Sequence, residues 1–207
     1  ECSSAASDVY KRQYYNFNRE ENVLKEYIPS SNTIHIGVDF NLDPMSAVVS
    51  EVKQDYLYVY DEIVIYGSNT DELVEEINNR YSGKHIFVYP DPASKQRKTS
   101  AGGRTDLSIL KNAGYNVRVR NAHPLVRDRI NAVNTKLKNT KGVRTLFIAN
   151  KCKNVIKSIE RQIYKEGTSL PDKENNYDHM NDALGYLIEF LYPIRTHFKP
   201  SPPKRFS

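Results

Sequence analysis

The stretch TIHIGVDF, from Thr33 to Phe40, has strong strand character, because its residues are mostly β-branched or apolar. A turn sequence, NLDP, follows at residues 41–44, and two more segments of strand composition follow at residues 45–52 and 56–65. The connections between the three segments are too short for a crossover. We therefore predict an antiparallel meander of three strands.

Beyond the meander, the apolar pattern changes repeatedly between helical and strand spacing. Helices are predicted near residues 70–81, 105–112, 124–137, 152–164 and 178–191, and strands at residues 85–89, 115–119 and 144–149. A meander that leads into βα units predicts an α/β fold, with one mixed sheet and helices on both faces. We expect residues 1–32 to form an N-terminal arm or linker outside the core, residues 33–195 the folded domain, and residues 196–207 a basic, proline-rich tail.

The composition is that of a soluble globular protein. The 207 residues are 39% hydrophobic and 27% charged, and no apolar run reaches the roughly 18 residues that span a bilayer. The N-terminus lacks the basic and apolar regions of a signal peptide. The two cysteines, Cys2 and Cys152, have no metal-ligand spacing, which favours a reducing compartment. The net charge of +5 is compatible with a nucleic-acid partner without requiring one.

Three acidic residues lie where this topology would bring them together. Asp39 is in the first strand, Asp91 stands between two prolines after the fourth strand, and Asp182 is on the last helix. If the first and fourth strands are adjacent and parallel, Asp39 and Asp91 lie side by side, and a helix across the sheet can add Asp182. Such carboxylates repel each other unless a divalent cation neutralises them, and oxygen-only ligands favour Mg²⁺ or Mn²⁺. Two ions on shared carboxylates are a common device for displacement at a phosphodiester.

Each candidate also has a structural explanation that the sequence leaves open. Asp91 fits a turn and Asp182 fits a solvated helix face, whereas Asp39 is harder to explain, since strands are depleted in Asp. His179 and Asp178 precede Asp182 by three and four residues, so both share its helical face and could reach the site. A packing histidine and a helix N-terminal acid are the alternatives.

A basic loop follows Asp91 in the sequence. Its cationic residues are Lys95, Arg97, Lys98 and Arg104. DNA phosphates could lie against this loop, and a solvated loop is the alternative. The sequence has no GxxxxGK[ST] pattern, so a P-loop ATPase is not among the candidates for this chain.

Five sequence blocks together resemble the C-terminal nuclease domain of the large terminase subunit of tailed bacteriophages. They are VDFN at residues 38–41, YPDPA at 89–93, RTDLSIL at 104–110, NAHPLVRDRINAVN at 121–134 and DHMNDALGY at 178–186. The similarity extends in order over residues 33–195. It implies an RNase H-like fold and a metal-dependent endonuclease that cuts concatemeric viral DNA during genome packaging.

The same resemblance implies roles for particular residues. Asp39, Asp91 and Asp182 would be catalytic and would hold two Mg²⁺ or Mn²⁺ ions, and His179 matches a histidine near the metal in some members. The implied partners are double-stranded DNA and, in a full-length subunit, the ATPase domain, the small terminase subunit and the portal. The implied location is the host cell cytoplasm, with no membrane.

Two other classes of function compete with this interpretation. Another nuclease of RNase H-like fold, such as a resolvase or an integrase, would fit the three aspartates alone, but the blocks between them favour a terminase. A non-catalytic module that binds DNA or the portal is the second alternative. The presence of all three aspartates argues against it.

Overall fold

The computed structural model describes residues 12–41, 43–92 and 104–194. Its strands are β1 (Val23–Leu24), β2 (Thr33–Asp39), β3 (Met45–Lys53), β4 (Tyr56–Ile65), β5 (His85–Pro90), β6 (Asn116–Val117) and β7 (Leu146–Ala149). They form one sheet in the order β1-β7-β4-β3-β2-β5-β6. The predicted meander of β2, β3 and β4 is antiparallel and all the other pairs are parallel, which confirms the mixed sheet.

In the part of the chain that the structure describes, six helices accompany the sheet. They are α1 (Arg19–Asn22), α2 (Thr70–Tyr81), α3 (Asp106–Asn112), α4 (Val126–Leu137), α5 (Lys153–Arg161) and α6 (Asp178–Leu191). Helix α6 packs on β2, β3 and β5 and is flanked by α4 and α5. Tyr81 of α2 donates a hydrogen bond to Asp61 of β4, whose side chain lies on the opposite face of the sheet from α6. Helices therefore cover both faces, as predicted.

The pairing of β2 with β5 brings the ends of two parallel strands to one edge of the sheet. Val38 is opposite Pro90 in the register, and the backbone N–H of Asp91 donates to the carbonyl of Val38 at 3.2 Å. Asp39 is the last residue of β2. The sequence leaves this side-by-side arrangement of the two strand ends as a condition, and the structure meets it.

Gly37 allows α6 to lie directly on β2. A Cβ at this position would be 2.1 Å from the carbonyl oxygen of Ala183 and 3.0 Å from Cβ of Leu187, both in α6. Only a residue without a side chain fits so close an approach. Since side chains alternate along a strand, Asp39 shares the face of Gly37 and points to the side where α6 begins.

The N-terminal segment differs from its prediction as an arm outside the core. Its described part, from Arg12 onward, packs on the domain: Tyr14 belongs to the core, and β1 pairs with β7 at the edge of the sheet. The buried Asn22 donates to the backbone carbonyls of Leu137 and Leu146. The polar composition suggested an exposed linker, but these polar groups are paired with chain more than 100 residues away.

The core is continuous across the sheet and the α4–α6 layer. Cys152 is buried there as a free thiol, and burial raises its pKa to about 12. Among the helices of the described residues, not one is both long enough and apolar enough to cross a bilayer.

Candidate active site

The first group of candidate residues meets where β2 ends and α6 begins. Asp39 is 9% exposed, and its Oδ2 lies 3.1 Å from Nδ1 of His179. The same nitrogen lies 3.0 Å from Nδ2 of Asn41. The pKa of His179 is raised, chiefly by its hydrogen bond to Asp39, and the negative charges of Asp178 and Asp182 act in the same direction. His179 therefore faces the predicted site and favours the protonated, cationic form there.

Asp182 lies one turn further along α6, and its carboxyl is partly buried. Its pKa is raised to about 6, chiefly because burial disfavours the charged form. Arg129 lowers this pKa, whereas the carboxylates of Asp39 and Asp178 raise it. The influence of these two carboxylates shows that acids from β2 and from α6 share one electrostatic environment.

Arg129 of α4 is the direct partner of Asp182. Its guanidinium nitrogen Nη1 lies 3.0 Å from Oδ1 of Asp182, and the side chain stacks over the ring of Tyr186 at 4.3 Å. Only 7% of Arg129 is exposed. Burial lowers the pKa of Arg129, but the pKa is raised on balance. The negative charge of Asp182 raises it, and the more weakly acting charge of Asp91 contributes in the same direction. Arg129 is thus a fixed positive charge inside the acidic site.

The two other acids also have basic partners. Asp91 Oδ1 lies 3.3 Å from Nδ1 of His123, whose side chain is mostly exposed. Asp178 is buried, and its Oδ2 is 3.2 Å from Nζ of Lys173. The Oδ1 atom of Asp178 is buried without a hydrogen-bond partner among the described residues. Each carboxylate in this region is therefore paired with a basic side chain.

The chemistry of this donor set suits a hard divalent cation. Carboxylate oxygens are the preferred ligands of Mg²⁺ and Mn²⁺, and a divalent ion would relieve the repulsion that helps to raise the pKa of Asp182. Within residues 12–41, 43–92 and 104–194, however, no group of three or more His, Cys, Asp and Glu side chains is arranged to hold a metal ion. Asp182 is paired with Arg129, Asp91 with His123 and Asp39 with His179. Metal binding would therefore require the three aspartate side chains to turn toward an ion.

The predicted basic loop is only partly described. Lys95, Arg97 and Lys98 lie outside the described residues. Arg104 forms an ion pair with Asp71 at 3.2 Å, at the start of α2, and both side chains are about half exposed. Its guanidinium is thus engaged by an acid other than the three candidate aspartates.

Sequence reasoning missed the specific partners in this site. Arg129 lies in the sequence block at residues 121–134 but is not among the candidate residues. Its spacing of three residues from Val126 and four from Val133 nevertheless places a charge on the apolar stripe of α4. An arginine at such a position is a signal of a buried ion pair. His123 and Lys173 have no comparable signal, because both lie in irregular segments whose course depends on the fold.

Two comparisons identify relatives by family and by fold. A family model described as the terminase RNaseH-like domain matches residues 36–190. A large terminase from a thermophilic bacteriophage has 20% sequence identity and a TM-score of 0.68, with 86% of this chain covered. This chain covers only 45% of the length of that phage protein. A search of curated protein sequences finds no match.

Two isolated nuclease domains have the same fold. The P22 large terminase nuclease domain shares 13% identity with a TM-score of 0.64, covering 86% of this chain and 92% of that one. The large terminase nuclease from the thermophilic phage G20c, solved with bound magnesium, shares 14% identity with a TM-score of 0.58. That match covers 85% of this chain and 96% of the G20c chain. At these identities the structural matches establish the fold.

Proposed function

The chain belongs to the terminase RNaseH-like domain family, and we propose on that basis that it is a divalent-metal-dependent DNA endonuclease that cuts concatemeric viral DNA during packaging. One observation carries the proposal. The parallel register of β2 and β5 and the close packing of α6 at Gly37 bring Asp39, Asp91 and the start of α6 to one edge of the sheet. Acids from three separate parts of the chain lie near this edge, each paired with a basic side chain.

Asp39, Asp91 and Asp182 would hold the metal, as two Mg²⁺ or Mn²⁺ ions, with His179 and Asp178 as further candidate ligands. When bound, such ions activate a water molecule and stabilise the charge that develops on the scissile phosphate. The magnesium found in the G20c nuclease supports a divalent ion in this fold. The oxygen donors of this chain suit the same class of ion.

The protein's own residues prepare the site. Arg129 pairs with the carboxylate of Asp182 at 3.0 Å and offsets part of its negative charge. The hydrogen bond between His179 and Asp39 links the start of α6 to the end of β2. The burial of Asp39, Asp178 and Arg129 limits access of water and strengthens every charge interaction in the site.

The partners and setting follow from the same proposal. Double-stranded DNA would be the substrate, with Lys95, Arg97, Lys98 and Arg104 as candidate phosphate contacts. In a full-length subunit, the ATPase domain, the small terminase subunit and the portal would act with this domain, in the cytoplasm of the host cell. Residues 33–195, together with the segment from Arg12 that packs on them, would be the nuclease domain.

Cutting of supercoiled plasmid in the presence of Mn²⁺, with EDTA as the blank, tests the proposal. We expect Asp39→Asn to abolish cutting, because a neutral amide is a poor ligand for a hard cation. Its melting temperature in EDTA should stay near that of the wild type, since relief of repulsion with Asp182 offsets the weakened contact with His179.

Asp55→Asn is the matched control. Asp55 is an exposed acid in the turn between β3 and β4, at the opposite edge of the sheet, and its loss should leave cutting unchanged. If Asp39→Asn linearises plasmid at the rate of the wild type, or if the wild type does not cut with Mn²⁺ or Mg²⁺, the assignment of a nuclease site is wrong.

A further inference from the structure

A cavity of about 540 Å³ opens beside the acidic site, between α4, the start of α6 and the segment that connects α5 to α6. Three cationic residues line it: Arg129, Lys165 and Lys173. Asp182 forms part of the same wall, so the cavity is continuous with the candidate metal ligands. We call it the Arg129 cavity.

The guanidinium of Arg129 is buried in the wall of this cavity and has unused donors. Only 7% of Arg129 is exposed, yet its Nε and Nη1 atoms lack a hydrogen-bond acceptor among the described residues. The contact with Asp182 is a close ion pair, but its geometry does not provide these hydrogen bonds. A buried donor without an acceptor is costly, so a small movement of the guanidinium toward an acceptor in the adjoining cavity would be favourable.

The carboxylates in the cavity do not serve as that acceptor. Asp172 accepts a hydrogen bond from the backbone N–H of Glu174 at 2.9 Å, and Glu174 is itself exposed to solvent. Asp182 is the residue that would turn toward a metal. With Asp182 so engaged, Arg129 would have still fewer partners in the protein. Lys165 would add positive charge at the rim, where Lys173 also lies with its ammonium paired to Asp178 at 3.2 Å.

The shape and chemistry of the cavity suit a phosphodiester. A guanidinium offers parallel N–H donors that match two oxygens of a phosphate group. Val126, Leu170 and Pro171 give the cavity an apolar wall, against which a deoxyribose can pack. Its volume greatly exceeds that of a single inorganic ion, so a segment of a nucleic-acid strand fits better than a free anion.

We propose that the Arg129 cavity binds a backbone phosphate of the substrate DNA strand close to the phosphate that is cut, and that Arg129 is the residue that positions it. This inference rests on the proposed nuclease function and adds the path of the strand, which would pass from the metal site over Asp182 toward α4. Lys165 and Lys173 assist at the cavity rim.

Binding of a short fluorescent DNA duplex, measured by anisotropy in EDTA over a range of NaCl concentrations, tests the proposal without any cutting. We expect Arg129→Gln to raise the Kd about tenfold, and the double variant Lys165→Gln/Lys173→Gln to raise it by about 3- to 10-fold. Arg129→Gln should lessen the slope of log K against log salt by about 1, and the double variant by up to about 2. Lys141→Gln, an exposed lysine beyond the other end of α4, is the control and should change neither quantity.

Two further measurements keep the outcomes distinct. Circular dichroism shows whether Arg129→Gln is folded, and if it is not, the double lysine variant decides. Calorimetric titration with Mn²⁺ alone distinguishes an effect of Arg129→Gln on the metal site from an effect on DNA binding. A folded Arg129→Gln that binds Mn²⁺ more weakly but binds DNA normally would overturn the proposal. So would a double lysine variant that behaves like Lys141→Gln. Because these assays contain no cleavage step, failure of the nuclease assignment would appear only in the plasmid assay.

Discussion

Replacing Gly37 with alanine tests how the site is assembled. The new Cβ would lie 2.1 Å from the carbonyl oxygen of Ala183, whereas carbon and oxygen normally approach no closer than about 3.3 Å. The obstacle is backbone of α6, so the helix must move away from β2 by about 1 Å. Overpacking of this kind costs about 1–3 kcal/mol, and we expect the upper end because a whole helix is displaced.

The displacement should also reduce activity. Asp182 is adjacent to Ala183 in α6, and a shift of about 1 Å in a catalytic group can cost about 10²-fold in rate. Urea unfolding in EDTA measures the loss of stability, and plasmid cutting with Mn²⁺ at a temperature well below unfolding measures the loss of rate. We expect both to fall together in Gly37→Ala.

Gly185→Ala on the same helix is the matched control. A Cβ there would meet the Cβ of Arg129 at 3.5 Å, an ordinary van der Waals distance, and alanine is favoured over glycine within a helix by about 1 kcal/mol. This variant should be as stable as the wild type or more so, with normal cutting. If Gly37→Ala shows wild-type stability and wild-type cutting, close packing of α6 on β2 does not assemble the site.

Two more expectations concern charge in the site. Folding raises the pKa of Asp182 from the usual 3.8 to about 6, so ionising this carboxyl costs the folded protein about 3 kcal/mol once the pH exceeds 6. The free energy of unfolding of the metal-free protein should therefore fall between about pH 4 and pH 6. The raised pKa of His179 stabilises the folded protein below pH 6.5, and this stabilisation is lost as the pH rises through the raised value. Urea unfolding in EDTA at a series of pH values should show the losses of stability from Asp182 and from His179. If the wild type and Asp182→Asn have the same pH dependence, the expectation for Asp182 is wrong. His179→Ala should weaken cutting less than Asp182→Ala and should change the ratio of Mn²⁺- to Mg²⁺-supported rates. Equal loss with both metals, together with a lower melting temperature, would assign His179 a packing role.

Much of the fold could be predicted from the sequence because its signals are local. The strands β2, β3 and β4 carry β-branched and apolar residues separated by short turns, and α2 and α6 carry clear helical spacing. Their order allows few topologies. The adjacency of β2 and β5 remained a condition at the level of the sequence, and the structure meets it. Asp39 could be singled out from a local signal as well, because it is a charged residue in an apolar strand.

The N-terminal segment shows where local signals fail. Strand β1 has only two residues, Val23 and Leu24, and the helix before it has four. Neither is stable alone, and both depend on β7, which lies more than 120 residues further along the chain. No periodic pattern announces such a pairing, so a polar, weakly periodic segment was interpreted as an arm.

The amino-acid sequence was sufficient to predict the α/β architecture, to single out three aspartates as candidates and to place Asp178, His179 and Asp182 on one helical face. These inferences depend on the composition and spacing of individual strands and helices. The partners of those acids depended on the folded chain. Arg129 reaches Asp182 and His179 reaches Asp39 because Gly37 lets α6 pack against β2, while the orientation of α4 turns a charged residue of its apolar stripe inward. Spacing specifies which face a residue occupies, whereas packing between distant segments sets which charges come within about 3 Å of each other.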